Sequence, residues 1–221
     1  MDSSPPAPNP VYQGQFGTFT ITDHDRREVQ IYRTGLATAA LCFALGTLLI
    51  LSQGPSAPVL IGLDYLFALF CLALGVSLWT IHIYLRPLHQ FLQGCWLLGS
   101  LSALGLALSQ PQPLLLHIYQ NPLTLLGVGF IFVALTGIFF KEAFCFNRLE
   151  TKALTPLVPI LLLGHLVGTL PPGLQAVLLS LWAGLFLVFS LRKLIQAIPD
   201  DIGDKSVFEY LKQQRQPGQQ W

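Results

Sequence analysis

The sequence predicts an all-α fold, a transmembrane bundle of six helices arranged as three hairpins. Apolar residues make up 52% of the 221 residues, charged residues make up 10%, and the mean hydropathy is +0.58. The charged residues are also clustered: residues 34–85 contain one, Asp64, and residues 87–140 and 153–191 contain none. A helix that crosses the hydrocarbon core takes about 20 residues, so each of these stretches can hold two crossings.

Turn-forming residues near the middle of each stretch divide it into two helices. These turns are SQGPSAP at 52–58, SQPQP at 109–113 with Asn-Pro at 121–122, and LPPG at 170–173. The predicted spans are residues 35–52, 59–84, 88–109, 122–142, 154–170 and 174–192.

The distribution of basic residues predicts how the bundle is oriented. With six spans, all twelve Lys and Arg residues fall on one side of the membrane. Because cytoplasmic loops retain basic residues, both termini are expected in the cytoplasm, or in the stroma of a plastid.

The segments outside residues 35–192 are predicted to lie on that same side. We expect a disordered tail at 1–15, followed at 16–34 by a short extended piece and an amphipathic helix capped by Thr22 and Asp25. Residues 193–221 are predicted to be a tail with a short amphipathic helix, in which Ser206 and Glu209 form a capping box.

These amphipathic helices have two interpretations. They are either docking surfaces for a partner or helices that rest on lipid headgroups. On the opposite side, the run LLLHIYQ at 114–120 is too short to span and is expected at the membrane interface.

Two ionisable residues inside the predicted spans are candidate functional residues, because charge in a bilayer is costly. Asp64 lies near the outer end of the second span, where the alternatives are an interfacial role and an ion or proton site. His165 lies in the fifth span between Gly164 and Gly168, where close helix packing with a hydrogen bond explains it. A haem site would need a second histidine at the same depth.

Lys141 and Glu142 are the other two candidates, at the end of the fourth span. The favoured interpretation is a helix end anchored at the headgroup level by nearby phenylalanines, and the alternative is a catalytic site with Cys145. His82 and His89 flank Arg86 and are a minor candidate for a metal site across the turn.

Composition argues against several function classes. A net charge of +1 without a basic cluster gives no reason to expect nucleic acid as a partner. The four cysteines form no C-x-x-C motif, so no metal or other cofactor is predicted. No catalytic set is recognisable, and the lipid bilayer is the one partner that the sequence implies directly.

Three strings together resemble a known family. FGTFTITDHDRREVQIYRTGL, ALTGIFFKEAFCF and IPDDIGDKSVFEYL are similar to an uncharacterised integral-membrane family of cyanobacteria and plastids. The similarity covers about residues 11–212. The resemblance implies a photosynthetic host and a thylakoid or plasma membrane, and it implies no catalytic residues.

Three functional hypotheses follow. The first is a non-enzymatic accessory, assembly or stabilising factor that meets a membrane complex through its cytoplasmic face. The second is a small transporter or channel that uses Asp64 and His165. The third is a binder of pigment, haem or quinone, suggested by fifteen Phe and four Trp residues.

Overall fold

The computed structural model describes residues 10–207 and 210–211. The described chain opens with an antiparallel β-hairpin formed by β1 (Val11–Gly14) and β2 (Gly17–Thr20). Strand β2 matches the predicted extended piece. Strand β1 corrects the predicted disorder at residues 11–14, because this segment pairs with β2. The adjoining Gln15 is held by Asp204 in the C-terminal segment.

Nine α-helices follow in the described residues. They are α1 (Asp23–Gln53), α2 (Ala57–Thr80), α3 (Arg86–Ser109), α4 (Leu114–Gln120), α5 (Leu125–Val128), α6 (Phe130–Phe146), α7 (Leu149–Leu166), α8 (Pro172–Leu194) and α9 (Ile198–Ile202), with a 3₁₀ turn at Pro122–Thr124 before α5. The predicted all-α membrane bundle is confirmed.

Four of these helices, α1, α2, α3 and α8, are long and apolar enough to cross a membrane. The segment Pro122–Val128 and helix α6 make a fifth span if the bent pair is counted as one. Helix α7 is less apolar than these helices, because it carries Glu150 and Lys152 in its first turn and contains Pro156 and Pro159. Length and hydropathy therefore support four or five spans.

The six longest helices form a closed ring. Each contacts the next in the order α1, α2, α3, α6, α7, α8, and α8 returns to α1. Ser77 near the end of α2 donates to the carbonyl of Tyr32 near the start of α1, at 3.1 Å. The start of α7 lies beside the end of α8 in the same antiparallel way, as the hydrogen bond from Arg192 to Glu150 shows. Neighbouring helices therefore form three hairpins around a common interior.

The two ends of the ring differ in character. One end, called here the charged end, holds the start of α1, the ends of α6 and α8, and α9. The other, called here the α4 end, holds α4 and the connections α1–α2 and α7–α8. Helix α4 packs against the bundle through Leu114 and Ile118, which are buried, and its last residues, including Tyr119, are exposed.

The predicted span at 122–142 is interrupted. The helix axis turns by 59° between Pro122–Val128 and α6, with Gly129 at the break. A Cβ at Gly129 would collide with the carbonyl oxygen of Leu125, so the absence of a side chain permits this bend. Hydrophobicity shows how long an apolar segment is, but it does not show whether the helix is straight.

The fifth predicted span also ends earlier than expected. Helix α7 stops at Leu166, and Gly168 has φ of 70° in the turn that leads to α8. The predicted packing pair of Gly164 and Gly168 is therefore wrong, because Gly168 belongs to the turn and Gly164 contacts Leu170 of the same connection.

Both termini form one cap over the charged end. The backbone N–H of Gln15 donates to Asp204 at 2.7 Å, and that of Phe16 donates to Ser206 at 3.0 Å. The rings of Phe16 and Tyr210 stack at 4.2 Å. Beneath the hairpin, a small core joins the two terminal segments; its buried residues are Ile21, Val29 and Ile202.

Two predicted helix caps have different outcomes. The Thr22–Asp25 capping box is confirmed, with Asp25 N–H donating to Thr22 at 3.3 Å and Thr22 N–H donating to Asp25 at 2.8 Å. The capping box predicted for Ser206 and Glu209 depends on Glu209, which lies outside the described residues. Ser206 itself donates its hydroxyl to Asp204 at 2.6 Å.

Candidate functional site

A buried ion pair joins α6 and α8 at the charged end. Lys193 Nζ lies 2.6 Å from Glu142 Oε2, and both side chains are fully buried. The same ammonium group also contacts the carboxylate of Asp201 on α9. Lys193 is therefore held between two carboxylates from different helices.

The other oxygen of Glu142 connects the pair to α1. Its Oε1 accepts hydrogen bonds from the hydroxyl of Tyr32 and from Lys141 Nζ, each at 3.0 Å. Tyr32 is buried, and Lys141 lies at the edge of the cluster with 11% of its side chain exposed. One carboxylate thus connects three helices, α1, α6 and α8.

Arg33 connects α1 to α9. Its Nε and Nη2 atoms each lie 2.7 Å from Asp201 Oδ2. The guanidinium also donates to the carbonyls of Gln196 at 2.6 Å and Ala197 at 3.0 Å. These donors fix the connection between α8 and α9, as the planar fork of arginine allows.

The cluster is completed by polar and aromatic contacts at its edge. The amide of Gln196 accepts from Arg148 at 2.6 Å and donates to Asp201 at 3.3 Å. The ring of Phe146 lies 4.2 Å from Lys193 Nζ, in cation–π geometry. Phe146, predicted as a headgroup anchor, therefore contacts the buried ammonium group.

The four buried charges of this cluster balance. Arg33 and Lys193 are matched by Glu142 and Asp201, and each residue is at most 5% exposed. Burying charge is costly unless each group is paired and hydrogen-bonded, which is the case here. We call these four residues with Tyr32 the charge network; chemically it joins α1, α6, α8 and α9 and presents no free nucleophile.

Of the four residues predicted as functional, the network contains Glu142, with Lys141 at its edge. The structure does not bring Asp64 and His165 to it. Asp64 Oδ2 accepts from the N–H of Leu114 at 2.7 Å, and Oδ1 accepts from the N–H of Leu115 at 3.0 Å. Asp64 on α2 therefore caps α4, which explains a carboxylate at this depth.

His165 lies at the α4 end of the ring. Its Nδ1 is 3.0 Å from Gln175 Oε1, its Nε2 is 3.1 Å from the carbonyl of Tyr119, and its ring stacks on Tyr119 at 4.9 Å. The predicted hydrogen bond to a neighbouring element exists, although it does not accompany a pair of packed glycines.

The hypothesis of a metal site shared by His82 and His89 is wrong, because the two side chains have different partners. His89 Nε2 lies 2.6 Å from the carbonyl of Leu78, whereas His82 Nε2 lies 3.4 Å from Glu28. A geometric group that could hold a metal does contain His82, with Asp25 and Glu28.

That group is a poor metal site for an electrostatic reason. Lys205 donates to Asp25 at 2.7 Å, and its ammonium group would repel a cation bound beside it. Burial lowers the pKa of His82, although the carboxylates of Glu28 and Asp25 oppose this effect. The cluster is best described as an ion pair between Asp25 and Lys205, with His82 packed beside it.

Sequence reasoning missed four residues of the charge network. They are Tyr32, Arg33, Lys193 and Asp201, which lie in the segments predicted outside the spans, at 16–34 and 193–221. The one available signal was that both signs of charge occur at the same end of the bundle. The links from Tyr32 to Glu142, from Arg33 to Asp201 and from Lys193 to Glu142 each join residues more than 50 positions apart, so their pairing is visible only in the fold.

Comparison with known proteins identifies the family of this chain. No curated protein and no solved structure matches it. A family profile described as an uncharacterized integral membrane protein, DUF2301, matches residues 76–210, which include α3 to α9 and more than half of the chain. The chain belongs to this family of integral membrane proteins.

Proposed function

We propose that this protein is a non-enzymatic accessory factor that assembles with, or stabilises, a membrane complex in a thylakoid or plasma membrane of a photosynthetic host. The observation that carries the proposal is that the charge network is closed. Its buried ions are paired with one another, so they hold a cap in place and leave no reactive group open to a substrate.

The distribution of ionisable groups favours this function over ion transport. A transport pathway needs polar groups at membrane depth that exchange partners with the ion. Here the charged groups gather at one end of the ring, and Asp64 is used to cap α4. His165 is held by Gln175 and Tyr119.

The proposed topology has six spans, with both termini in the cytoplasm or stroma. It counts α7 as a short span and the segment Pro122–Val128 with α6 as a broken one. The basic residues of α3, α6, α7 and α8 support it, since Arg86, Lys141, Lys152 and Arg192 are all near the charged end. Reporter fusions at Gln112 and at the C-terminus are expected to report opposite sides, and the same side would contradict the topology.

The cap offers a surface for a partner. Val11 and Phe16 are exposed apolar residues on the hairpin, 68% and 42% accessible. Asp204 and Ser206 hold the hairpin in place through the backbone of residues 15 and 16. Exposed apolar groups on an ordered element outside the bilayer are typical of protein contacts. We therefore place the docking surface on the hairpin.

Native gels of gently solubilised host membranes test the function. The 24.3 kDa protein is expected to migrate in an assembly well above the size of its monomer or homodimer. Val11→Asp should release it, whereas Leu108→Ala, an exposed change at the α4 end, should not. Migration of the wild-type chain alone would contradict the proposal.

A further inference from the structure

A groove of about 430 Å³ runs between α1 and α2. It extends from Arg27 to Thr38 on α1 and from Leu69 to Val76 on α2. Leu69, Leu72 and Val76 are exposed, so the groove opens on the outer surface of the ring. In an integral membrane protein, this is the surface that lipid surrounds.

The groove has the length of one lipid chain. Residues 27–38 rise by about 16 Å along α1, and half of the hydrocarbon core is about 15 Å thick. Ser77 donates to the carbonyl of Tyr32, which fixes the level of one helix against the other. Helix α2 ends three residues after Ser77, at Thr80, and Arg27 lies five residues before Tyr32. The groove therefore begins at the headgroup level and covers about one leaflet.

The headgroup end of the groove carries an unpaired positive charge. Arg27 is exposed, and no carboxylate of residues 10–207 or 210–211 forms an ion pair with it. The two acids nearest to it in sequence have other partners: Asp25 lies 2.7 Å from Lys205, and Glu28 lies 3.4 Å from His82. A free guanidinium group matches the geometry of a phosphate. This end of the groove therefore favours an anion.

The rest of the groove suits an acyl chain. The hydroxyl of Thr34 donates to the carbonyl of Gln30, and that of Thr38 donates to the carbonyl of Thr34, each at 2.9 Å. These donors are satisfied within α1, so they need no partner from a ligand. Ile31 and Leu69 add apolar surface, and no described residue that lines the groove is acidic. The groove thus joins one positive charge to an apolar path.

We propose that this groove binds one acidic phospholipid from the leaflet at the charged end, with its phosphate on Arg27 and one acyl chain between Ile31 and Leu72. Basic pockets between membrane helices bind anionic headgroups in this way. The site lies outside the ring, apart from the charge network and the docking surface, and it does not rest on the proposed accessory function.

Native mass spectrometry of the purified full-length protein in detergent tests the site. The probes are phosphatidylglycerol, which is anionic, and phosphatidylcholine, which is zwitterionic. The wild type is expected to bind one phosphatidylglycerol in preference to phosphatidylcholine. Arg27→Gln should weaken phosphatidylglycerol binding about tenfold or more, the effect of one hydrogen bond to a charged group. Arg86→Gln, at an exposed basic residue of the charged end outside the groove, should bind as the wild type does.

A second pair of variants tests the location. Thr34→Phe fills the groove and is expected to abolish the preferred binding. Leu45→Phe, at an exposed position of α1 beyond the groove, should preserve it. If Thr34→Phe lowers the thermal midpoint strongly, the comparison of Arg27→Gln with Arg86→Gln decides alone. Equal binding of the two lipids by the wild type, equal binding by all variants, or displacement of the lipid by inorganic phosphate would overturn the proposal.

Discussion

Lys193 and Glu142 form a salt bridge of 2.6 Å, and both side chains are fully buried. The two residues lie on different helices and are 51 positions apart in the chain. In an apolar setting, the value of such a pair depends on both partners being present. Removing one partner leaves the other charge buried and uncompensated.

The first prediction concerns this pair. Glu142→Gln and Lys193→Met should each lower the free energy of unfolding by about 3–5 kcal/mol. The double variant should lose less than the sum, because it leaves fewer unmatched charges. Thermal unfolding in detergent measures this, with the exposed Lys152→Met as control. Additive losses would show that the two residues act independently.

The second prediction concerns the shape of Arg33. Arg33→Lys keeps the positive charge but cannot donate at once to Asp201 and to the carbonyls of Gln196 and Ala197. Limited proteolysis should then cut between α8 and α9 faster than in the wild type. Unchanged cleavage would mean that charge alone holds α9 in place.

The third prediction concerns Asp64 as a helix cap. Asp64→Ala should cost about 0.5–2 kcal/mol, because the N–H groups of Leu114 and Leu115 lose their acceptor. Hydrogen exchange should rise within α4, and Asp64→Asn should retain part of the protection. A change in ion flux without a change in exchange at α4 would instead favour a transport role for Asp64.

The fourth prediction concerns pH. Burial lowers the pKa of His82 in the folded protein, so the unfolded chain binds a proton more readily. The contribution of the neutral His82 is fully present above the unfolded pKa of about 6.5 and is lost as pH falls below it. Thermal midpoints should therefore drop between about pH 7 and pH 5. His82→Gln should reduce that slope, and an identical slope in the variant would assign it to other groups.

The fifth prediction concerns the anchor of the β-hairpin. Asp204 accepts from the N–H of Gln15 and the hydroxyl of Ser206, and the bond to Ser206 is the main reason that the pKa of its carboxyl is lowered. Asp204→Ala should release the hairpin and raise its susceptibility to protease. Asp200→Ala, at an exposed acid nearby, is the matched control, and equal protection in both variants would contradict the anchor.

More of the fold than of the candidate site could be predicted from the sequence. Apolar length and turn residues are local properties, so the hairpin order and the Thr22–Asp25 cap could be predicted. The bend at Gly129 and the early end of α7 at Leu166 depend on backbone geometry, which hydrophobicity does not report. Glu142 was recognised as unusual, but its partners Tyr32 and Lys193 lie on other helices.

The membrane setting of this protein follows from its amino-acid sequence. Scarce and clustered charge requires a bilayer, and the positions of the basic residues set the expected orientation. The roles of the remaining polar residues become visible in the fold. It placed Asp64 at the start of α4 and brought Arg33, Glu142, Lys193 and Asp201 into one neutral network. The reason is that a buried charge is stabilised by a partner in space, and a closed ring of helices brings together residues that are far apart in the chain.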